Sequence, residues 1–180
     1  MTFSTKEKIY VTVIILLVAL CAQFYYSYSY APQYQVRVYY NQDRPLNKEL
    51  VNTIREAEHF VYFAVYTFTR TDIKDALLAA KYRGLEVKGI TDKNQYKQIE
   101  QQQKIIDELR KEGIEVYEQD HSAIMHLKTL VTDRAYISGS YNWTSAATNL
   151  NDEVLEIGHE ESIRSQYEKI LKELFGRYSK

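Results

Sequence analysis

From Gln35 onward, runs of β-branched and aromatic residues alternate with stretches whose apolar residues recur at helical spacing, which leaves few folds open to the chain. QVRVYY reads as a strand, and PLNKELVNTIREAEH as an amphipathic helix with Leu50, Val51, Ile54 and Ala57 on one face. FVYFAVYTF has no polar alternation and reads as a strand buried on both faces; TDIKDALLAAKYRG is a helix starting at Thr71 or Asp72 and stopping at Gly84. LEVKGITD, YKQIEQQQKIIDELRKEG and IEVYEQ continue as strand, helix and strand. HLKTLVTD and AYIS are two strands about a tight turn at Asp133-Arg134, followed by a short helix after Asn142, the strand EVLEIG and a closing helix from Glu160 to Tyr178. The predicted fold is α/β, a mainly parallel or mixed sheet flanked by helices.

The first 30 residues are a different material. Lys6 and Lys8 precede a run from Ile9 to Ala22 that carries no charge, and the aromatics to Tyr26 extend it into membrane-spanning length. Ala19 and Ala22 are not spaced as a signal-peptidase site requires, and Leu20 stands where a lipoprotein box needs a small residue. A retained anchor over residues 1–30 is therefore expected, ahead of a domain over 31–180, with YYSYSY as an interfacial aromatic belt and SYAPQY as a linker. The next basic residue is Arg37, so the positive-inside bias predicts a cytoplasmic amino terminus and an exported domain, periplasmic or secreted if the segment is cleaved.

Composition sets further limits. With 180 residues and 45% hydrophobic content, the chain can build one ordinary core. The net charge is −1, and leaving out Lys6, Lys8 and Glu7 gives 21 basic against 23 acidic residues, so any nucleic-acid binding needs a local cluster. Cys21 is the only cysteine, which excludes an intramolecular disulfide and a cysteine-built metal site.

The densest chemistry lies in HLKTLVTDRAYISGSYNWT, His126 to Thr144. In a strand His126 and Lys128 project to one side, pairing a nitrogen nucleophile with a fixed cation. Ser140 and Asn142, again two apart, follow a glycine that permits close backbone approach, and both offer neutral donors. These groups suit one tetrahedral phosphate. His59, His121 and His159 are scattered without metal-ligand spacing.

HLKTLVTD followed by GSYNWT resembles the H-x-K-x4-D signature of the phospholipase D superfamily with its trailing G-S-x-N, and the match reaches Glu153. Five residues separate Asp133 from Gly139, where the family pattern usually has six. The single-motif outline is similar to small bacterial endonucleases of that family, and also to a mitochondrial-surface nuclease or cardiolipin hydrolase and some bacterial phospholipases D. The resemblance implies that His126 is a nucleophile forming a phosphohistidine, that Lys128 and Asn142 hold the phosphoryl oxygens with Ser140 assisting, and that Glu153 orients His126. Asp133 is expected to be catalytic or a turn residue. No metal or other cofactor is implied. Because H-x-K occurs once, the resemblance also implies a homodimer whose two copies of His126 face one phosphate.

Nucleic acid, DNA or RNA, is the favoured substrate. Arg70, Lys93 and Lys97 follow strand ends and are candidates to track its backbone. Membrane phospholipid is the alternative, supported by the anchor but opposed by the lack of a recognisable apolar loop beside the motif. A non-catalytic nucleic-acid-binding module is the third reading.

Overall fold

A computed structural model of the chain describes residues 4–29 and 36–179, with side chains from 4 to 26 and from 36 to 179. Residues 1–34 and 35–180 form separate compact units. In the first, α1 spans Thr5–Ser29. Its stretch Thr5–Tyr26 has 22 residues and contains an 18-residue window with a mean hydropathy of 2.1. At about 1.5 Å per residue this is roughly 33 Å of helix, long enough to cross a hydrocarbon layer of about 30 Å. Its apolar side chains, among them Ile9, Ile14, Leu17 and Phe24, are exposed. Beyond Ser29, the SYAPQY linker lies outside the described residues, and so do the side chains of the aromatic belt beyond Tyr26.

In the second unit the elements are β1 (Val36–Tyr40), α2 (Leu46–Glu56), β2 (Phe60–Val65), α3 (Thr71–Tyr82), β3 (Glu86–Thr91), α4 (Lys93–Gln98), α5 (Glu100–Lys111), β4 (Glu115–Glu118), β5 (Lys128–Thr132), β6 (Tyr136–Gly139), α6 (Ser145–Asn149), β7 (Val154–Gly158) and α7 (Glu161–Tyr178). They build one seven-stranded sheet of order β1-β7-β6-β5-β2-β3-β4. The β2–β3 and β3–β4 pairs are parallel, joined through α3 and through α4 with α5. The other four pairs are antiparallel. The sheet is thus mixed, because β5 and β6 follow one another through a short turn that reverses the chain, with no crossover helix to carry it back for a parallel pairing.

Alternation along β2 builds two cores. Val61, Phe63 and Val65 join the larger one with residues of α2, α3 and α5, while Tyr62 and Ala64 face Leu171 and Phe175 of α7. The helix expected from Tyr96 to Gly113 is broken at Ile99, which takes an extended conformation between α4 and α5.

These pairings put the ends of β1, β2, β3, β4 and β6 and the beginnings of β5 and β7 along one edge of the sheet. That edge gathers Asn41, Tyr66, Asp92, His126, Lys128, Ser140 and Glu153 from segments far apart in sequence.

Candidate functional site

β5 begins at Lys128, so His126 lies just before the strand rather than within it. Strand-like pairing persists for one further step, since the Tyr66 amide donates to the Leu127 carbonyl at 2.9 Å. His126 and Lys128 do share a side. The imidazole meets the Tyr66 ring edge-on at 4.8 Å between centroids, and the Lys128 ammonium lies 5.1 Å from the same ring centre. The His126 ring is exposed, and its nitrogens make no hydrogen bond among the described residues.

Lys128 is only 8% exposed. Its Nζ donates to the His126 carbonyl at 3.0 Å and forms no ion pair among the described residues. Burial pushes its pKa below the usual lysine value, and the negative charge of Glu153 opposes that shift. A desolvated ammonium with spare donors and no contacting carboxylate is a receptor for an anion.

Asn142 enters from the β6–α6 loop. Its Oδ1 accepts from the Thr67 amide at 3.3 Å, and the Trp143 backbone is fixed on both sides, donating to Thr67 O at 3.0 Å and accepting from Thr69 N at 2.9 Å. Trp143 itself is buried against Phe63 and Phe68. Asn142 is therefore held by its carbonyl end, and its Nδ2 has no partner among the described residues.

Ser140 and Glu153 are joined to each other. The Ser140 hydroxyl donates to Glu153 Oε2 and accepts from the Val154 amide at 3.1 Å. Glu153 Oε1 accepts from Asn151 Nδ2 at 3.0 Å. Asn41 clamps the same residue from the turn after β1, its amide and Oδ1 bonding the Glu153 carbonyl and amide at 3.1 and 3.0 Å. The Glu153 carboxylate thus turns to Ser140 and Asn151 rather than to the His126 ring. Gly139 makes the approach feasible, because a Cβ there would stand 2.3 Å from the Val154 carbonyl oxygen.

Asp133 lies at the other end of β5. Its Oδ1 accepts the Glu58 and His59 amides, both at 3.0 Å, closing the turn into β2. Burial raises its pKa, but these backbone bonds outweigh burial and leave it below the ordinary carboxyl value. The five residues of β5 and the residues flanking them put it roughly 20 Å from His126, so it holds the turn and not the edge that carries the histidine. Glu58, His59 and Asp133 have ligand atoms within 4.8 Å of one another, a proximity that sequence spacing did not reveal. Asp133 is committed to backbone, and Glu58 pairs with Arg134.

Of the three basic candidates, Arg70 is engaged elsewhere, holding Asp72 through Nε at 2.8 Å and through its terminal nitrogen at 2.9 Å. Lys93 and Lys97 form no ion pair among the described residues and follow the end of β3. Two exposed apolar residues flank the histidine, Ile124 at 53% and Leu127 at 40%. This corrects the expectation that no apolar loop stands beside the motif: single apolar residues in a loop carry no periodic signal. Tyr66 and Asn41 also escaped sequence reading, since neither stands at a diagnostic spacing from the residue it contacts.

The profile of the cardiolipin synthase, PLD-like domain family matches residues 50–175. With the sheet and the clustered histidine, lysine, asparagine and glutamate, this places the chain in the phospholipase D superfamily. It is 32% identical over 130 residues to the mitochondrial cardiolipin hydrolase of Xenopus tropicalis, covering 72% of this chain and 60% of that protein. It is 31% identical over 121 residues to a phospholipase D of Rickettsia felis, covering 67% of this chain and 59% of that one. The chain thus spans less than two thirds of the length of either relative. Among solved structures, Nuc of Salmonella typhimurium, a phospholipase D family member, superposes with a TM-score of 0.75 at 23% identity, over 81% of this chain and 97% of that one, and shares the fold.

Proposed function

We propose that this domain is a metal-independent phosphodiesterase acting on nucleic acid, and that Lys128 carries the reading: a buried ammonium with no ion pair among the described residues, on the same side as an imidazole whose nitrogens make no hydrogen bond among them. A phosphate oxygen supplies the missing counter-charge. A His126 nitrogen attacks phosphorus, the bond to the leaving oxygen breaks, and a phosphohistidine forms. Lys128 and the Asn142 amide stabilise charge on the non-bridging oxygens. A second copy of the chain supplies its own His126, first to protonate the leaving oxygen and then to activate water against the phosphohistidine. Glu153 and Ser140 brace the neighbouring edge, with Glu153 acting on Lys128 through its charge. Lys93 and Lys97, which lie beyond β3 and form no ion pair among the described residues, support a polyanionic substrate continuing past the reacting phosphate.

The second reading is phospholipid. Exposed Ile124 and Leu127 beside His126 and the span-length α1 favour a bilayer substrate, as do relatives named cardiolipin hydrolase and phospholipase D. One assay separates the two. The full chain in detergent micelles, with excess chelator, is given end-labelled single-stranded DNA, RNA and anionic phospholipid vesicles. Shortened oligonucleotides in chelator support the nuclease. Headgroup release alone transfers the proposal to lipid. Turnover that appears only on adding magnesium refutes metal-independent attack.

A further inference from the structure

We propose that Asp92, outside the histidine motif, is a positioning residue whose buried carboxylate holds the loop that delivers His126. The inference rests on the reading of His126 as nucleophile. Asp92 is fully buried at the end of β3. One oxygen caps α4, accepting the Asn94 and Gln95 amides at 2.9 Å each. The other reaches across to the loop between β4 and β5, accepting Gln119 Nε2 at 2.9 Å and the Met125 amide at 3.0 Å. Met125 directly precedes His126.

Gln119 completes the device. It is also buried; its Oε1 accepts the Lys93 amide at 2.6 Å, and its Nε2 reaches the Ala123 carbonyl at 3.3 Å in addition to Asp92. Between these two fixed ends, Asp120 to Ile124 are exposed and belong to no helix or strand. The β2–β5 ladder fixes the chain only from Leu127 onward. On the amino-terminal side of His126, the backbone is held at Met125 by its amide's bond to Asp92 and by the packing of its buried side chain against the α7-side core, and at Ala123 by the bond from Gln119. A carboxylate suits this place because all four of its neighbours are donors; an amide would turn a donor of its own toward at least one donor pair.

Asp92→Asn keeps the shape and removes that acceptor capacity. The expected result in the full chain, in detergent, is a kcat lowered about a hundredfold with KM changed less than about threefold, since a nucleophile displaced by about 1 Å loses rate at that scale. Hydrogen exchange over residues 119–127 should accelerate at least tenfold in the same variant while the β2 and β3 amides stay protected. Gln119→Leu, which leaves the Met125 bond to Asp92 in place, should lower kcat by a smaller factor and serves if Asp92→Asn does not fold. A folded Asp92→Asn chain with wild-type kcat and unaltered exchange overturns the proposal, as does, where only Gln119→Leu folds, unaltered kcat and exchange in that variant. If the wild-type chain shows no turnover on any phosphodiester, the nucleophile reading fails instead, and the exchange measurement still reports whether Asp92 holds the loop.

Discussion

A lysine sealed from water without a contacting counter-ion works against folding, and Lys128, which forms no ion pair among the described residues, carries that burden at the centre of the site. Replacing it by Met keeps the stem and removes the charge. Lys128→Met should therefore melt at or above the wild-type temperature while turnover falls at least about a hundredfold. The sign follows from its depressed pKa. Its folded-state charge is disfavoured, so its contribution to stability is most favourable above the ordinary value of 10.5 and declines as pH falls through the lower folded value. Thermal melts across pH 8 to 11 should show that slope in the wild type and lose it in the variant. Inorganic phosphate should raise the wild-type melting temperature only. Asp133 gives the opposite result. Asp133→Ala should cost about 1–3 kcal/mol by stranding two backbone amides, with kcat nearly unchanged. Because its folded pKa lies below 3.8, its stabilisation is complete above that value and is lost as pH falls through the folded pKa. At this scale the two-residue spacing of His126 and Lys128 gave their shared side, although His126 lies just before β5 and Asn142 in the β6–α6 loop. The sequence could not show where Glu153 points, because that depends on Asn41, over a hundred positions away.

Element by element, legibility followed local periodicity. The amphipathic stripe of α2 and the unbroken apolar run of β2 were readable because neighbouring residues alone set their pattern. The break at Ile99 was not, because α4 is capped by Asp92, whose other bonds run to the β4–β5 loop. Strand direction was only half visible: helical connections announce parallel pairs and the Asp133-Arg134 turn announces β5 with β6, whereas the pairing of β7 with β6 and β1, and of β5 with β2, is not marked in the sequence. Gly139 tests the contact between β6 and β7. Gly139→Ala would drive a methyl into the Val154 carbonyl, and overpacking of this kind costs about 1–3 kcal/mol. Since the same displacement moves Ser140 away from Glu153, kcat should fall with the melting temperature, and Gly176→Ala, in open space on α7, should leave kcat unchanged and the melting temperature no lower. For α1, the expectation of an anchor predicts that the full chain stays with membranes through alkaline carbonate extraction, and that a chain lacking residues 4–26 appears in the supernatant.

For the whole molecule, the decisive fact is one H-x-K in a chain whose proposed chemistry needs two imidazoles. The histidine nearest to His126 in sequence, His121, lies in the exposed loop before it, its ring 6.0 Å from that of Tyr178 at the end of α7. If each dimer has one composite site, a heterodimer of wild-type and His126→Ala chains lacks one histidine at the only site it has. With a wild-type fraction f and free exchange, activity per total chain should then fall as the square of f. Independent sites would give a straight line. The exchange itself is checked by co-purifying differently tagged chains. Lys128→Ala mixed in the same way should bend the curve less, because the partner's ammonium still meets the phosphate. A straight line after proven exchange would return the second proton transfer to a group within one chain, and the search would turn to His121 and the exposed loop around it.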